Sequence, residues 1–128
     1  MNKKSQAFLN ARIGSVITAL TVDENSLIRL ETSGHLPLHI TDNGQTCCEK
    51  HYITTDDTLR DVVGATILRW DHSPREVVDE PSEPECYHNV HGIQWLRLYT
   101  TNGVVAFCIH NDHSGYYGGL CLKAEEGC

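Results

Sequence analysis

Apolar and polar residues alternate through most of this chain, a pattern that predicts strands. Between Ile13 and Val22 the residues Val16, Thr18, Leu20 and Val22 share one face of an extended segment. Leu27 to Thr32 resumes the pattern after Asp23-Glu24-Asn25-Ser26, which is turn chemistry, so the two runs read as a hairpin. Ser33-Gly34 marks a second turn, and Leu36-Pro37-Leu38-His39-Ile40 a third strand. Pro37 has no N–H for a ladder, which predicts an edge strand or a bulge there. Met1 to Ala11 fits a short helix or a flexible lead-in.

The second half repeats this plan. Val62-Val63-Gly64-Ala65-Thr66-Ile67-Leu68 is similar to Arg12-Ile13-Gly14-Ser15-Val16-Ile17, and Trp95 to Thr101 is similar to Leu27 to Thr32. Asn102-Gly103, a strong hairpin signal, falls where Ser33-Gly34 fell. Six residues beyond each glycine lie Ile40 and Ile109, with one residue of slip before the second turn. The expected fold is α+β, mainly antiparallel sheet, with two related three-stranded units over 12–42 and 62–112 and one or two short helices. The connector holds a candidate helix at Thr58 to Val63, with Thr55 or Asp56 as N-cap. Ser73 to His88 is rich in proline and acid (Glu80-Pro81-Ser82-Glu83-Pro84-Glu85) and predicts a surface excursion.

The 128 residues fit a single domain over 1–128 that needs no disulfide or metal to hold a core. Ten basic against 17 acidic residues give a net charge of −7, which disfavours non-specific binding to nucleic acid or anionic membranes. Basic proteins and small ligands stay open as partners. Met1-Asn2-Lys3-Lys4 is followed by no apolar run of signal-peptide length, and no stretch approaches a membrane span, so a cytoplasmic setting is expected. There the six cysteines default to free thiols or metal ligands. An unprotected strand edge leaves a homo-oligomer open.

Two loops draw attention as a site. The first runs from Asp42 to Tyr52 and includes Cys47, Cys48 and His51; the second is His110-Asn111-Asp112-His113-Ser114-Gly115-Tyr116-Tyr117-Gly118-Gly119. Glycines permit close backbone approach, tyrosines offer stacking surface with a polar tip, and the His, Asn and Ser side chains supply donors and acceptors. Such a combination suits a planar polar ligand or a protein loop. The alternative is a tight glycine turn whose tyrosines cap the core.

Metal and catalysis are weaker readings. Cys48-x-x-His51, Cys86-x-His88-x-x-His91 and His110-x-x-His113 match no standard zinc spacing, so no metal or other cofactor is expected. Cys48 with His51 is the one imaginable nucleophile–base pair, yet no orienting acid is assignable and no P-loop, dinucleotide fingerprint or nucleophile elbow occurs. A non-enzymatic protein is expected.

Cys47-Cys48 together with Gly115-Tyr116-Tyr117-Gly118-Gly119 resembles a family of small phage and prophage proteins. Its members show Asp-Cys-Cys-Ser on a strand and a later Arg-Asn-x-Ser-Asn-Gly-Tyr-Tyr-Gly-Gly, and the likeness runs from about residue 12 to 122. Thr46 and Glu49 depart from the first motif, and His110, His113 and Ser114 from the second. The resemblance implies a counter-defence binding role, loosely similar to phage Thoeris anti-defence sponges that sequester cyclic ADP-ribose-type signals. Under that reading Tyr116 or Tyr117 stacks on a nucleotide-like ligand while Asn111, His113 and Ser114 hydrogen-bond it. Gly115, His110, Cys48 and His51 complete the site, with Arg60, Arg69 or Arg97 facing phosphates. The competing expectation is an inhibitor of a host defence protein, whose Asp79, Glu80, Glu83 and Glu85 mask a basic surface such as a nucleic-acid channel.

Overall fold

Asn2 opens the first element: its side chain accepts the Ser5 N–H at 2.8 Å and caps a helix, Lys3–Asn10 (α1). The computed structural model describes residues 2–23, 27–42, 50–73, 76–79, 90–113 and 122–127. Strands follow at Ile17–Val22 (β1), Ile28–Thr32 (β2), Leu38–Asp42 (β3) and Lys50–Thr54 (β4). After a 3-10 turn at Leu59–Val62 come Ile67–His72 (β5), Glu76–Asp79 (β6), Val90–Thr100 (β7), Gly103–His113 (β8) and Leu122–Glu126 (β9).

The strands form two antiparallel sheets, ordered β1-β2-β3-β9 and β4-β8-β7-β5, with β6 also paired to β7. Each sheet is a three-stranded meander extended by a fourth strand, and the fourth strands are exchanged. β4 follows β3 along the chain yet pairs with β8, while β9 follows β8 yet pairs with β3.

Reciprocal main-chain bonds join the two sheets where β1 and β5 begin. Gly14 N–H donates to the Ile67 carbonyl and Gly64 N–H to the Ile17 carbonyl, both at 2.8 Å. Ile17 N–H donates to Ala65 and Ile67 N–H to Ser15, both at 2.9 Å, around an isolated Val16–Thr66 bridge. Each bond has its counterpart in the other half, the mark of a local two-fold relation. The same register break recurs, between Ile17 and Ala19 in one half and between Ile67 and Arg69 in the other.

Side chains from both sheets fill one core: Ile17, Leu20, Ile28, Leu30, Leu38 and Ile40 meet Ile67, Leu96, Leu98, Val105, Phe107 and Ile109, with Leu9 of α1. Alternate positions along each strand reach the same face, which is why single apolar residues spaced by two suffice. The edge of β9 is covered by α1, where Ser5 Oγ accepts the Ala124 N–H at 3.0 Å. Arg12, wholly buried, closes the helix end through Glu126 (2.8 Å) and the Leu36 carbonyl (2.8 Å).

Several expectations need correction. The bulge in β1 turns Val16 and Thr18 outward while Ile17 and Leu20 enter the core, so Val16, Thr18, Leu20 and Val22 do not share a face. Pro37 precedes β3, which pairs on both sides and is not an edge strand. Register places Ile40 opposite Ile28 and Phe107 opposite Leu96, so Ile40 corresponds to Phe107, not Ile109. The turn into β3 is one residue longer than the turn into β8. The connector makes only one 3-10 turn, preceded by Thr58, because Thr55 and Asp57 are engaged elsewhere. Thr55 Oγ1 donates to the Ala106 carbonyl (2.7 Å), and Asp57 Oδ2 accepts the Ala106 N–H (2.8 Å), so side chains continue the β4–β8 ladder. The proline-rich stretch contributes β6, whose Val77 lies opposite Gly92.

Candidate binding site

Both sequence-predicted loops spring from adjacent strand ends. Asp42 at the end of β3 pairs with Leu122, and Lys50 at the start of β4 pairs with Asp112. Between these stems lies a buried polar contact that ties the sheets together. His51 Nδ1 stands 2.5 Å from Asp42 Oδ2, and each side chain is 4% exposed. Asn111, opposite His51 in register, is 0% exposed. These three polar residues lie at or near described strand ends that flank the two segments.

The opposite face of the second sheet is only partly buried and carries different chemistry. Because Leu96, Leu98, Phe107 and Ile109 turn inward, Ile93, Trp95, Arg97 and Tyr99 of β7 turn outward with Cys108 and His110 of β8. Register sets Tyr52, His110 and Ile93 in one cross-strand row and Thr54, Cys108 and Trp95 in the next. Of these rows His110, Ile93, Thr54, Cys108 and Trp95, with Thr55 and Asp56, line an open groove of about 280 Å³.

His110 is held in place on two sides. Its ring stacks on Tyr52 at 4.4 Å between centroids and 6° between planes, and its Nε2 lies 2.7 Å from Thr54 Oγ1. The Arg97 guanidinium sits 5.7 Å from the Trp95 ring and 4.0 Å from Asp71, and Arg69 lies over Tyr99 at 3.8 Å. Aromatic surface and two cations therefore run along one face. Asp56 adds an acceptor; among the described residues its carboxylate has no hydrogen-bond or ion-pair partner.

Cys108 is the one cysteine among the described residues. Burial, and then the charge of Asp56, push its thiol above the ordinary range. A thiolate nucleophile is favoured by the reverse environment, and Cys108 lines the groove as a thiol. Among the described residues no three His, Cys, Asp or Glu side chains gather as a metal site.

Of the sequence candidates, His110 lines the groove and Arg97 lies in the next cross-strand row. His110, Asn111 and His113 belong to β8 and His51 to β4, however, so none of them is a loop residue. Asn111 is wholly buried and the His51 side chain is 4% exposed, so both lie apart from the groove. Cys48, Ser114, Gly115, Tyr116 and Tyr117 lie outside the described residues, as do Glu80, Glu83 and Glu85 of the acidic segment. Arg60 is exposed on the 3-10 turn. Trp95, Tyr52 and Asp56 were missed. The signal for Trp95 was available: Ile93-Gln94-Trp95-Leu96-Arg97-Leu98-Tyr99 sets large residues on both faces of one strand.

Residues 6–123 match the family model described as Domain of unknown function (DUF7448). The chain belongs to the DUF7448 family. No curated protein and no solved structure matches it. The DUF7448 match reaches from α1 into β9 and so takes in both sheets, the exchanged strands and the groove. No helix among the described residues of this DUF7448 chain is long and apolar enough to cross a membrane.

Proposed function

We propose that this DUF7448 protein works by binding, without catalysis, and sequesters a small nucleotide-like ligand on the outer face of its second sheet. The observation that carries this reading is the groove itself, where Trp95 and the stacked Tyr52–His110 pair stand beside the Arg97 and Arg69 cations. Aromatic faces accept a planar base, and arginine is suited to bidentate contact with phosphate oxygens. The spacing is favourable. Trp95 and Arg97 are two residues apart on one strand, roughly 6.8 Å, comparable to the reach from a base to its phosphate. The raised Cys108 thiol supports binding over chemistry at this face.

The biological setting proposed here is phage counter-defence in the host cytoplasm, with a cyclic ADP-ribose-type signal as the ligand. It rests on the resemblance of the Cys47-Cys48 and Gly115-Tyr116-Tyr117-Gly118-Gly119 motifs to phage proteins. Calorimetric titration of the purified protein with ADP-ribose, cyclic ADP-ribose and adenosine monophosphate tests it. At least one should bind, and Trp95→Ala should weaken that binding by about 10- to 100-fold, the usual worth of one base–aromatic stack. Absence of binding at millimolar ligand, or binding untouched by Trp95→Ala, would remove the reading. Recovery of a salt-sensitive complex with a basic host protein instead would favour the masking alternative.

A further inference from the structure

We infer that the groove discriminates among bases, taking those that present an exocyclic amino group, with Asp56 as the specificity-determining residue. This rests on the nucleotide-binding reading above and adds to it the identity of the base edge.

Three observations carry the inference. First, the Asp56 carboxylate belongs to the groove lining and, among the described residues, has no partner there. Its neighbours are already committed: Thr55 and Asp57 are bonded to Ala106, and Thr54 to His110. Among the described lining residues, Asp56 is thus the side chain left with a strong acceptor to offer. Second, an ionised carboxylate has acceptors only, so it rewards a ligand N–H and repels a carbonyl oxygen in the same place. Third, cations lie on the same face: Arg97 stands beside Ala106 and 4.0 Å from Asp71, and Arg69 stands beside Tyr99. A ligand with a donor at its base and an anion at its tail can set the donor on Asp56 and the anion toward these arginines, whereas the reverse orientation sets phosphate against Asp56.

The consequence is selectivity between bases of equal shape. Adenine and cytosine offer an amino group where hypoxanthine and uracil offer a carbonyl. Charge-assisted hydrogen bonds are among the stronger ones, so losing one and facing an oxygen in its place should weaken binding by about 10- to 100-fold.

The test is a four-ligand titration with adenosine, inosine, cytidine and uridine monophosphates, on the full-length protein and on Asp56→Asn. In the native protein adenosine should bind more tightly than inosine, and cytidine more tightly than uridine, by the margin above. Asp56→Asn should erase both preferences, since an amide offers donor and acceptor alike, while circular dichroism stays native because Asp56 is exposed. Equal affinities within each pair, with binding still sensitive to Trp95→Ala, would overturn the inference and leave the nucleotide reading standing. Preferences that persist in Asp56→Asn would overturn the role of Asp56. Failure of all four ligands to bind would instead strike the proposed function itself.

Discussion

Cys108 shows how one side chain reports on its surroundings. It is nearly buried, and the nearest cause of further perturbation is a carboxylate, so both influences disfavour the thiolate. A folded-state value raised above the unfolded one means that the folded chain holds its proton longer. The associated stability is fully present below the unfolded thiol range, about 8.5, and drains away as pH rises through the higher folded value. Chemical unfolding measured from pH 7 to 10 should therefore show a loss above that point, and Cys108→Ala should flatten it. An unchanged decline in Cys108→Ala would assign the loss to other groups. The same environment should make Cys108 alkylate more slowly than a thiol in the unfolded chain, and Asp56→Asn should speed it. The buried Asp42–His51 contact is the contrasting case at this scale, since its two side chains are each other's compensation for desolvation.

At the scale of elements, Gly14 and Gly64 explain why both halves begin alike. Their φ angles are 89° and 92°, in the left-handed region that other residues enter at a cost, and each donates across the junction between sheets. A Cβ at either position meets nothing within 4 Å, so replacement by alanine adds no clash. Gly14→Ala and Gly64→Ala should each lose about 1–2 kcal/mol, and by similar amounts, from backbone strain alone. Markedly unequal losses in thermal unfolding would deny the equivalence of the two junctions. This equivalence was legible in the sequence because the glycines stand in similar strings, Arg12-Ile13-Gly14-Ser15 and Val62-Val63-Gly64-Ala65. Three strands were harder to see. Lys50-His51-Tyr52-Ile53-Thr54 places only Ile53 in the core, β6 lies inside an acidic proline-rich stretch, and β9 is a short Leu-Lys-Ala-Glu-Glu run. None of the three has the length or the alternation that marks a strand in isolation; each exists because a longer neighbour supplies its hydrogen bonds. The site follows the same logic. Histidine, asparagine and arginine could be read as polar candidates, but which face each takes depends on register, and the bulges that set register carry no sequence mark of their own.

The whole molecule is governed by the exchange of its fourth strands. β4 belongs by sequence to the first meander and completes the second sheet, while β9 belongs to the second and completes the first. The groove depends on this arrangement, since Thr54, Thr55 and Asp56 come from one half and Ile93, Trp95, Cys108 and His110 from the other. The first sheet has a recess of about 330 Å³ in the corresponding place, lined by Leu27, His39, Thr41 and Glu125. In register Leu27 answers to Trp95 and Thr41 to Cys108, so the two sheets offer like frames, and among the described lining residues an aromatic side chain furnishes the one in the second sheet. Neither half should stand alone: each would present an unpaired strand edge and half a core, and neither could bury the other's apolar face. Two chains divided in the connector, 1–57 and 58–128, should therefore be largely unstructured when separate and should recover sheet signal and cooperative unfolding when mixed in equal amounts. Nucleotide binding should return with the mixture and not with either piece. A half that folds cooperatively as a monomer would mean that its meander needs no strand from the other. The groove would then be an interface between two self-sufficient units, not a product of their entanglement.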